Sequence, residues 1–429
     1  MSRRLLTTAT ARRAVAGLAL VGFLTVLGAG AVLGPHHSRS TLDGRSLVTF
    51  PPPSTTTLAD GTWMTGVESW LNDHIPARTR WLNLHGLLTT QALREPVVDN
   101  VLVDDPQGIQ LEKPVRLRVP AALATHAAQL GRDVRAAGAP ILWVYVPRKE
   151  EAFTDRLPPA WHNYLLDTRP AVLRAMAAGG PVLDLSATLS DPARRDGYYW
   201  HTDHHWTPAG ALAGLDAISA QARAMGVDIP ADDRTYTTKT YAQWYGSTGR
   251  KVTAGATRSP DRFAIPQPRP WRAHACVGGV CDRATFVAAK ARDSDPYANR
   301  YTAFMGGDFG YQRTENPDPA AHGTIILVKD SFGDALSTYL AERVKTLITI
   351  DERHYRGQDI RDLVAARHPD LVIVMHNQVS MLGNQAVQLT GLGQRGGKCQ
   401  AASGRARRGW LGSRGSPRTI NELVSSVRS

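Results

Sequence analysis

Short apolar runs that alternate with helical patterns constrain the fold of this chain more than any other feature. The runs are ILWVYV at 141–146, TIILV at 324–328, TLITI at 346–350 and LVIVM at 371–375, with a further strand-like run, PVLDLSATL, at 181–189. Patterns typical of helices lie at 63–92, 121–137, 170–178, 208–225, 332–344 and 359–367. Uninterrupted apolar strands between helices are typical of a parallel sheet covered on both faces. The sequence therefore predicts an α/β fold.

Composition divides the rest of the chain. Residues 35–60 are rich in Ser, Thr and Pro, which is typical of a spacer. Residues 228–320 are rich in Thr, Tyr, Arg, Pro and Gly and have few periodic runs, which predicts an irregular or β-rich insertion. This insertion would interrupt a main domain spanning 61–390. Residues 391–429 form a basic tail rich in Gly, Arg and Ser, which we expect to be disordered.

The amino-terminal segment is a targeting signal by its pattern. Residues 14–34 form an uncharged apolar run of 21 residues, long enough to span a bilayer, and arginines precede it. A signal anchor and a cleaved signal peptide both fit residues 1–34. Basic residues before the span favour a cytoplasmic amino terminus. We therefore expect the body to lie outside the cytoplasm, either held at the cell membrane or secreted.

The net charge of +12 comes from the two ends of the chain. Residues 1–34 carry four arginines and no acid, and residues 391–429 carry eight basic residues against one acid. The body between them is close to neutral. A nucleic-acid-binding body would carry its own basic surface, so we expect no nucleic-acid partner.

Two cysteines flank a predicted hairpin turn. Cys276 and Cys281 enclose Val-Gly-Gly-Val, and a glycine pair between apolar residues is typical of a tight turn. In an exported chain these cysteines could form a disulfide across the hairpin. A zinc site would need more ligands than two thiols, and the sequence has no second cysteine pair. We therefore predict a disulfide here and no metal.

The densest group of chemically active residues is YYWHTDHHWTPAGA, at 198–211. It places His201, Asp203, His204 and His205 within five positions, immediately before a predicted helix. In an extended segment, positions i and i+2 point the same way, so Asp203 and His205 could face one pocket. A carboxylate beside an imidazole fixes its tautomer and stabilises its protonated form. A capped helix with surface histidines is the alternative interpretation.

A serine follows a buried strand in TIILVKDSFGDAL, at 324–336. Ser331 would lie at the carboxyl end of the strand and at the amino end of the next helix. Free N–H groups there can hold a developing oxyanion, and a serine becomes a nucleophile when a base is near. Asp203 and His205 would supply that base. Alone, Asp330 or Ser331 could equally be a helix cap.

Two weaker signals concern the oxyanion and the substrate. Asn377 follows the strand at 371–375, and its amide could donate to an oxyanion or simply form a turn. Gly307, in FMGGDFGY, could bring a backbone N–H near the site, although glycine pairs are common in turns.

The chain resembles the AlgX/AlgJ-like (DHHW) SGNH hydrolase-like family of polysaccharide O-acetylation proteins. The resemblance rests on Asp203-His204-His205-Trp206, on VKDSF around Ser331, and on YVPRKEEAF and FMGGD. It implies a flavodoxin-like SGNH fold in which Ser331 is the nucleophile, His205 the base and Asp203 its orienting partner. It further implies acetyl transfer to, or removal from, a cell-envelope or exported polysaccharide, without a cofactor, and a membrane-bound O-acyltransferase as acetyl donor. The chain departs from the usual signature, because Lys329 replaces Gly before Asp-Ser and no Gly-x-Asn-Asp block is visible.

Two other functions compete with this hypothesis. A scaffold of envelope assembly could keep the fold without turnover. Asp-His-His is also a motif of the manganese-dependent DHH phosphoesterases, in which further aspartates bind the metal. Only Asp104-Asp105 and Asp184 could supply those aspartates here.

Overall fold

A computed structural model describes residues 2–277 and 279–383 of the chain. The predicted tail at 391–429 lies outside these residues. The strands are β1 Arg39–Ser40, β2 Arg45–Ser46, β3 Val97–Val98, β4 Val101–Leu102, β5 Leu111–Glu112, β6 Ile141–Tyr145, β7 Val182–Asp184, β8 Tyr236–Trp244, β9 Asp261–Pro268, β10 His274–Val277, β11 Val280–Ala284, β12 Tyr311–Glu315, β13 Thr324–Lys329, β14 Thr346–Asp351 and β15 Leu371–His376.

The α-helices are α1 Ser2–Leu33, α2 Thr55–Ala59, α3 Thr62–His74, α4 Arg78–Leu87, α5 Leu123–Ala136, α6 Lys149–Ala152, α7 Tyr164–Ala177, α8 Ser186–Leu189, α9 Arg195–Tyr198, α10 Pro208–Ala224, α11 Ser247–Ala256, α12 Ala288–Ala291, α13 Phe332–Leu340, α14 Ile360–Arg367 and α15 Gln378–Leu382. A π-helix, Leu88–Ala92, continues α4.

An eight-stranded sheet forms the centre of the protein, in the order β11-β10-β12-β14-β13-β15-β6-β7. The five strands from β14 to β7 are parallel to one another. The other three strands are antiparallel and extend one edge. The predicted α/β fold with a parallel sheet is therefore confirmed.

Apolar residues cover both faces of the sheet, as the uninterrupted runs predict. In β6, Leu142 and Val144 belong to one core cluster, while Ile141 and Trp143 belong to the other. The helices α10 and α13 contribute to the first cluster. The helices α5, α7 and α14 contribute to the second. Because both faces are buried, the polar residues that follow each strand gather at the carboxyl edge of the sheet.

The segment 228–320 is β-rich, as expected, but it also completes the main sheet. Its strands β10 and β11, together with β12, form the antiparallel edge. Its strands β8 and β9 form a separate pair, and α11 lies between them in the chain. A disulfide joins Cys276 to Cys281, which face each other across the β10–β11 hairpin.

Three sequence expectations differ in detail from the structure. The run at 181–189 is a strand only to Asp184, and its second half is the helix α8. The helix α7 begins at Tyr164 and contains Pro170, which the pattern had placed at its start. The predicted helix at 63–92 is divided into α3 and α4 around Pro76, because proline lacks the backbone N–H that a continuous helix needs.

Candidate active site

Ser331 lies between β13 and α13, at the carboxyl edge of the sheet. Its side chain is half-buried and makes no capping hydrogen bond to the helix. Asp330 takes the capping role instead, since its Oδ1 accepts a hydrogen bond from the backbone N–H of Phe332 at 2.9 Å. The hydroxyl of Ser331 is left to contact His205, whose Nε2 is 2.8 Å from Oγ.

Asp203 and His205 lie in a short loop that a bridge between Tyr199 and Trp206 closes. The loop is not an extended strand, yet the two side chains do meet. Nδ1 of His205 is 2.6 Å from Oδ1 of Asp203, and the same oxygen accepts from the backbone N–H of His205 at 2.9 Å. An Asx turn, in which the Asp203 side chain accepts from the backbone N–H of His205, therefore brings the pair together, and not the strand geometry that we expected.

The imidazole of His205 is held on three sides. Asp203 contacts Nδ1, Ser331 contacts Nε2, and the ring of Tyr301 stacks on the imidazole with centroids 3.9 Å apart and planes 8° from parallel. Asp203 and His205 are both buried. The carboxylate–imidazole–hydroxyl arrangement is the one that activates a serine for acyl transfer.

The environment of Asp203 favours its ionised form. Burial alone would raise the pKa of this carboxyl, but the imidazole of His205 and several hydrogen bonds hold it well below its usual range. One of these donors is the backbone N–H of Ser247, 2.7 Å from Oδ2. Burial and the neighbouring His205 hold the pKa of His204 well below its usual range. An ionised Asp203 can stabilise a proton on His205.

Two buried charges hold the loop that carries Asp203 and His205. Nζ of Lys149 donates to the backbone oxygens of Trp200, His201 and Asp203, at 3.1, 3.1 and 2.7 Å. The side chain of Lys149 is fully buried.

Asp261 binds the N–H groups of the same loop. Its carboxylate accepts from the backbone of His201 at 2.9 Å and of Thr202 at 2.7 Å, and from the hydroxyl of Thr202 at 2.5 Å. The loop is therefore fixed through its carbonyls by a cation and through its amides by an anion.

The side-chain amide of Asn377 makes different hydrogen bonds from the one we expected. Its amide nitrogen donates to Oδ2 of Asp330 at 2.7 Å and to the hydroxyl of Ser380 at 2.9 Å. Both amide hydrogens are therefore engaged, and the side chain is 2% exposed. Asn377 fixes Asp330, the neighbour of Ser331, and does not present a donor to the acyl group.

Gly307 is likewise occupied, since its backbone N–H donates to Phe304 at 3.1 Å in a tight turn. Its φ of 113° is one that glycine adopts readily. Among the described residues, the backbone N–H of Ser331 has no acceptor. This group, at the amino end of α13, is therefore free to donate to an oxyanion, whereas the amide of Asn377 is engaged.

A buried ionic cluster adjoins Ser331. Lys329 pairs with Asp334, and its Nζ lies 3.5 Å from Asp351 and 3.7 Å from Asp308, while Arg353 contacts Asp351 and Asp308. Burial raises the pKa of Asp334 to about 8. Lys329, which stands where the usual signature has glycine, therefore has its positive charge compensated by neighbouring carboxylates.

Asp203, His204 and His205 also lie close enough to hold a metal ion. The donor atoms do not fit that use. Both carboxylate oxygens of Asp203 face N–H donors, and Nδ1 of His204 faces the hydroxyl of Ser247 at 2.6 Å. A metal would have to displace these partners, so the arrangement favours the serine chemistry over the DHH phosphoesterase alternative.

Fold and site together have the arrangement typical of SGNH-type serine enzymes: a parallel sheet with a serine at one strand end and an aspartate–histidine pair beside it. Residues 111–269 match the family described as "SGNH hydrolase-like domain, acetyltransferase AlgX". The resemblance to the AlgX/AlgJ-like (DHHW) family is therefore confirmed, and residues 111–269 are similar to an SGNH hydrolase-like acetyltransferase domain. The matched segment contains Asp203 and His205 but ends before Ser331.

Solved structures agree on the fold. A DHHW family protein from Eubacterium siraeum is 21% identical, with a TM-score of 0.54, over 69% of this chain and 96% of that one. PatB1 from Bacillus cereus, solved with a sulfonyl adduct, is 18% identical, with a TM-score of 0.55, over 67% of this chain and 98% of that one. A search among curated proteins finds no match.

Sequence reasoning missed Lys149, Asp261 and Tyr301 as parts of the site. Lys149 lies in YVPRKEEAF, which carried the resemblance without a role attached to it. Asp261 and Tyr301 lie in the segment read as an insertion, where no pattern distinguishes them. Only the folded arrangement shows their contacts.

Proposed function

We propose that this protein transfers acetyl groups to an exported or cell-envelope polysaccharide through an acyl-enzyme on Ser331. The observation that carries the proposal is the continuous contact from Oδ1 of Asp203 through His205 to Oγ of Ser331, at 2.6 and 2.8 Å. The choice of acetyl as the transferred group rests on the match of residues 111–269 to an acetyltransferase family. The polysaccharide acceptor and the catalytic roles are part of the proposal.

The first half of the reaction forms the acyl-enzyme. Oγ of Ser331 attacks the carbonyl carbon of the acetyl donor while Nε2 of His205 takes the hydroxyl proton. The backbone N–H of Ser331 donates to the oxyanion of the tetrahedral intermediate. The donor's leaving group then departs with the proton from His205, and ionised Asp203 stabilises the imidazolium in between.

The second half of the reaction transfers the acetyl group. A sugar hydroxyl gives its proton to His205 and attacks the acetyl carbon, and Ser331 departs and recovers that proton. Water in the same position would give hydrolysis. A transferase and an esterase of this kind therefore differ only in how well the binding site for the acceptor excludes water. We propose transfer as the main reaction.

The helix α1 supports a proposal about the location of the protein. A stretch of 21 residues, Arg13–Leu33, is apolar enough to span a membrane, and only 6% of its most apolar window is buried. We propose that it anchors the chain with the body outside the cytoplasm, where the Cys276–Cys281 disulfide is stable. A membrane-bound O-acyltransferase is the proposed source of acetyl groups. Protease added to sealed cells should digest the body of an anchored chain, and full protection would refute this orientation.

The catalytic roles can be tested on the full chain with a chromogenic acetyl ester and a serine-reactive phosphonate. Ser331→Ala and His205→Ala should abolish turnover, and mass spectrometry should find the phosphonate on Ser331. Ser219→Ala, in the buried face of α10, is the matched control and should keep both activity and label. Turnover that survives Ser331→Ala would end the proposal.

The acceptor requires a separate measurement. Envelope polysaccharides from cells that lack the protein should contain fewer O-acetyl groups, and wild-type protein should restore them while Ser331→Ala should not. Restoration by Ser331→Ala would instead favour a scaffold without turnover.

A further inference from the structure

One buried histidine close to Ser331 has no part in the proposed reaction. His376 ends β15, and in the sheet β15 lies beside β13, which lies beside β14. In the register of these strands, Asp330, Glu352 and His376 occupy equivalent positions, one residue beyond the last pairs that β13 makes. All three side chains are buried, and Asp330 immediately precedes Ser331. We call these three residues the strand-end group.

His376 faces a carboxylate with each of its ring nitrogens. Nε2 is 2.9 Å from Oε1 of Glu352, and Nδ1 is 3.9 Å from Oδ2 of Asp330. Neither nitrogen makes an aligned hydrogen bond among the described residues, so the contacts are ion pairs. A neutral imidazole has one N–H and one lone pair, so one carboxylate would face a lone pair. An imidazolium presents an N–H to both carboxylates, and the geometry therefore favours the protonated ring.

The charges around the strand-end group leave compensation to His376. Lys329 and Arg353, the neighbouring cations, pair with other carboxylates. Within the described part of the chain, no lysine or arginine nitrogen lies within 4.0 Å of the carboxylates of Glu352 and Asp330. Oε2 of Glu352 is also buried without a hydrogen-bond partner. Burial would lower the pKa of the His376 imidazole, but the carboxylate of Glu352 raises this pKa above its usual range.

Asp330 connects the strand-end group to the proposed nucleophile. Its Oδ1 accepts from the backbone N–H of Phe332 at 2.9 Å, and its Oδ2 accepts from the backbone and the side-chain amide of Asn377 at 3.0 and 2.7 Å. These bonds fix the turn that carries Ser331 at the start of α13. Two uncompensated carboxylates would repel each other and favour protonation of Asp330, which would weaken its bonds to these donors.

We infer that His376 is a buried imidazolium that compensates Glu352 and Asp330 and thereby positions the turn that carries Ser331. His376 is a positioning residue, because its side chain is fully buried and acts through Asp330. Its effect on catalysis rests on the proposed function of Ser331, whereas its charge and its effect on the turn do not.

Solid-state NMR of the full chain tests the charge of the ring. The protein is labelled with ¹⁵N-histidine and reconstituted into vesicles of phosphatidylethanolamine and phosphatidylglycerol. The signals of His376 are those missing from the His376→Gln/Glu352→Gln double variant. At neutral pH, both ring nitrogens should have the shift of a protonated nitrogen. An unprotonated ring nitrogen in the wild type would overturn the inference.

A double-variant cycle tests the positioning. His376→Gln keeps an N–H donor near the position of Nε2 but leaves two carboxylates uncompensated, and adding Glu352→Gln returns the group to its original net charge. Hydrogen exchange at 332–334 should be faster in His376→Gln and return towards the wild-type rate in the double variant. With a chromogenic acetyl ester, kcat should fall about tenfold in His376→Gln at unchanged KM, and the double variant should recover most of this loss.

Losses that simply add in the double variant would contradict a charge-based role. A single variant that fails to fold while the double variant folds would support it. His322→Gln is the matched control, because His322 lies 3.3 Å from Asp228 but both side chains are 58% exposed. This variant should keep the wild-type exchange rates and kcat.

The exchange and NMR measurements do not use the reaction, so they separate this inference from the proposed function. A wild-type protein without esterase activity, but with a protonated His376 and the expected exchange rates, counts only against the proposed function. An active wild type whose exchange and kcat are unchanged by His376→Gln refutes only the positioning role.

Discussion

Lys149→Met is the substitution that best tests how the site is held in place. Methionine keeps most of the side-chain volume but removes the ammonium group, which donates to three backbone oxygens at 2.7 to 3.1 Å. The buried oxygens of Trp200 and Asp203 would lose this donor, while that of His201 would keep the backbone N–H of Gln110 at 2.9 Å. Asp261 would lose a neighbouring cation. Leaving a buried acceptor without its donor costs about 1–3 kcal/mol of folding free energy. We expect a loss of that order.

The effect on catalysis should be separable from the effect on stability. Lys149 is fully buried and does not reach the surface where substrates bind. The loop it holds carries Asp203 and His205, and a displacement of about 1 Å in such groups lowers a rate about 100-fold. We therefore expect kcat to fall about 100-fold with KM nearly unchanged.

The assay is hydrolysis of a chromogenic acetyl ester, at a temperature where circular dichroism shows that the variant is folded. Lys345→Met is the control, since Lys345 also donates to a backbone oxygen but is exposed. It precedes the amino end of β14, whereas the site lies at the carboxyl ends of the parallel strands. A folded Lys149→Met enzyme with kcat within about threefold of wild type, less than 1 kcal/mol in barrier height, would refute the positioning role.

Four further predictions follow from the contacts described. Asp203→Asn should lower kcat by about 10³–10⁴-fold while the protein stays folded, because His205 loses its charged partner; a loss under tenfold in ester hydrolysis would contradict this. Tyr301→Leu should lower kcat about tenfold by freeing the imidazole that it stacks on, and an unchanged rate would show that the stacking is idle. Asn377→Ala should cost about 1–3 kcal/mol in urea unfolding, and a fall in kcat of ~10²–10³-fold, the size expected for a lost oxyanion donor, would restore the role we expected first. Burial raises the pKa of Glu151 to about 7, so the folded protein keeps a proton that the unfolded chain releases, and stability falls as the pH rises from about 4.5 to about 7. Asp334 adds to this slope, so Glu151→Gln should reduce the slope in urea titrations without abolishing it, and an unchanged slope would exclude Glu151 as a source.

The sequence predicted the parts of the site that depend on sheet geometry. Ser331 follows a buried strand, and the carboxyl ends of parallel strands meet at one edge, so its position could be inferred from a short pattern. Asp203 and His205 were recognisable by their density and spacing. The expected geometry between them was wrong in form, since a turn and not a strand aligns them.

The parts that the sequence did not predict depend on contacts between distant segments. Lys149 reaches oxygens that lie 51 to 54 residues further along the chain, and no local pattern encodes such a pairing. The direction of the Asn377 amide depends on Asp330, which lies 47 residues away. The sequence predicts only an insertion where β10 to β12 lie, because their apolar and polar residues alternate weakly. Their place in the sheet depends on the pairing of β12 with β14, which is distant in the chain.

The chain order of the site residues affects when the enzyme becomes active during synthesis. Ser331 and His205 are 126 residues apart, and the strands that widen the sheet lie between them. A nascent chain that has folded its first half holds the proposed base and its partner but lacks the proposed nucleophile. It cannot hydrolyse acetyl esters in the compartment where it is made. Ester hydrolysis therefore reports on the completed fold, and its first appearance during refolding would time the last long-range step.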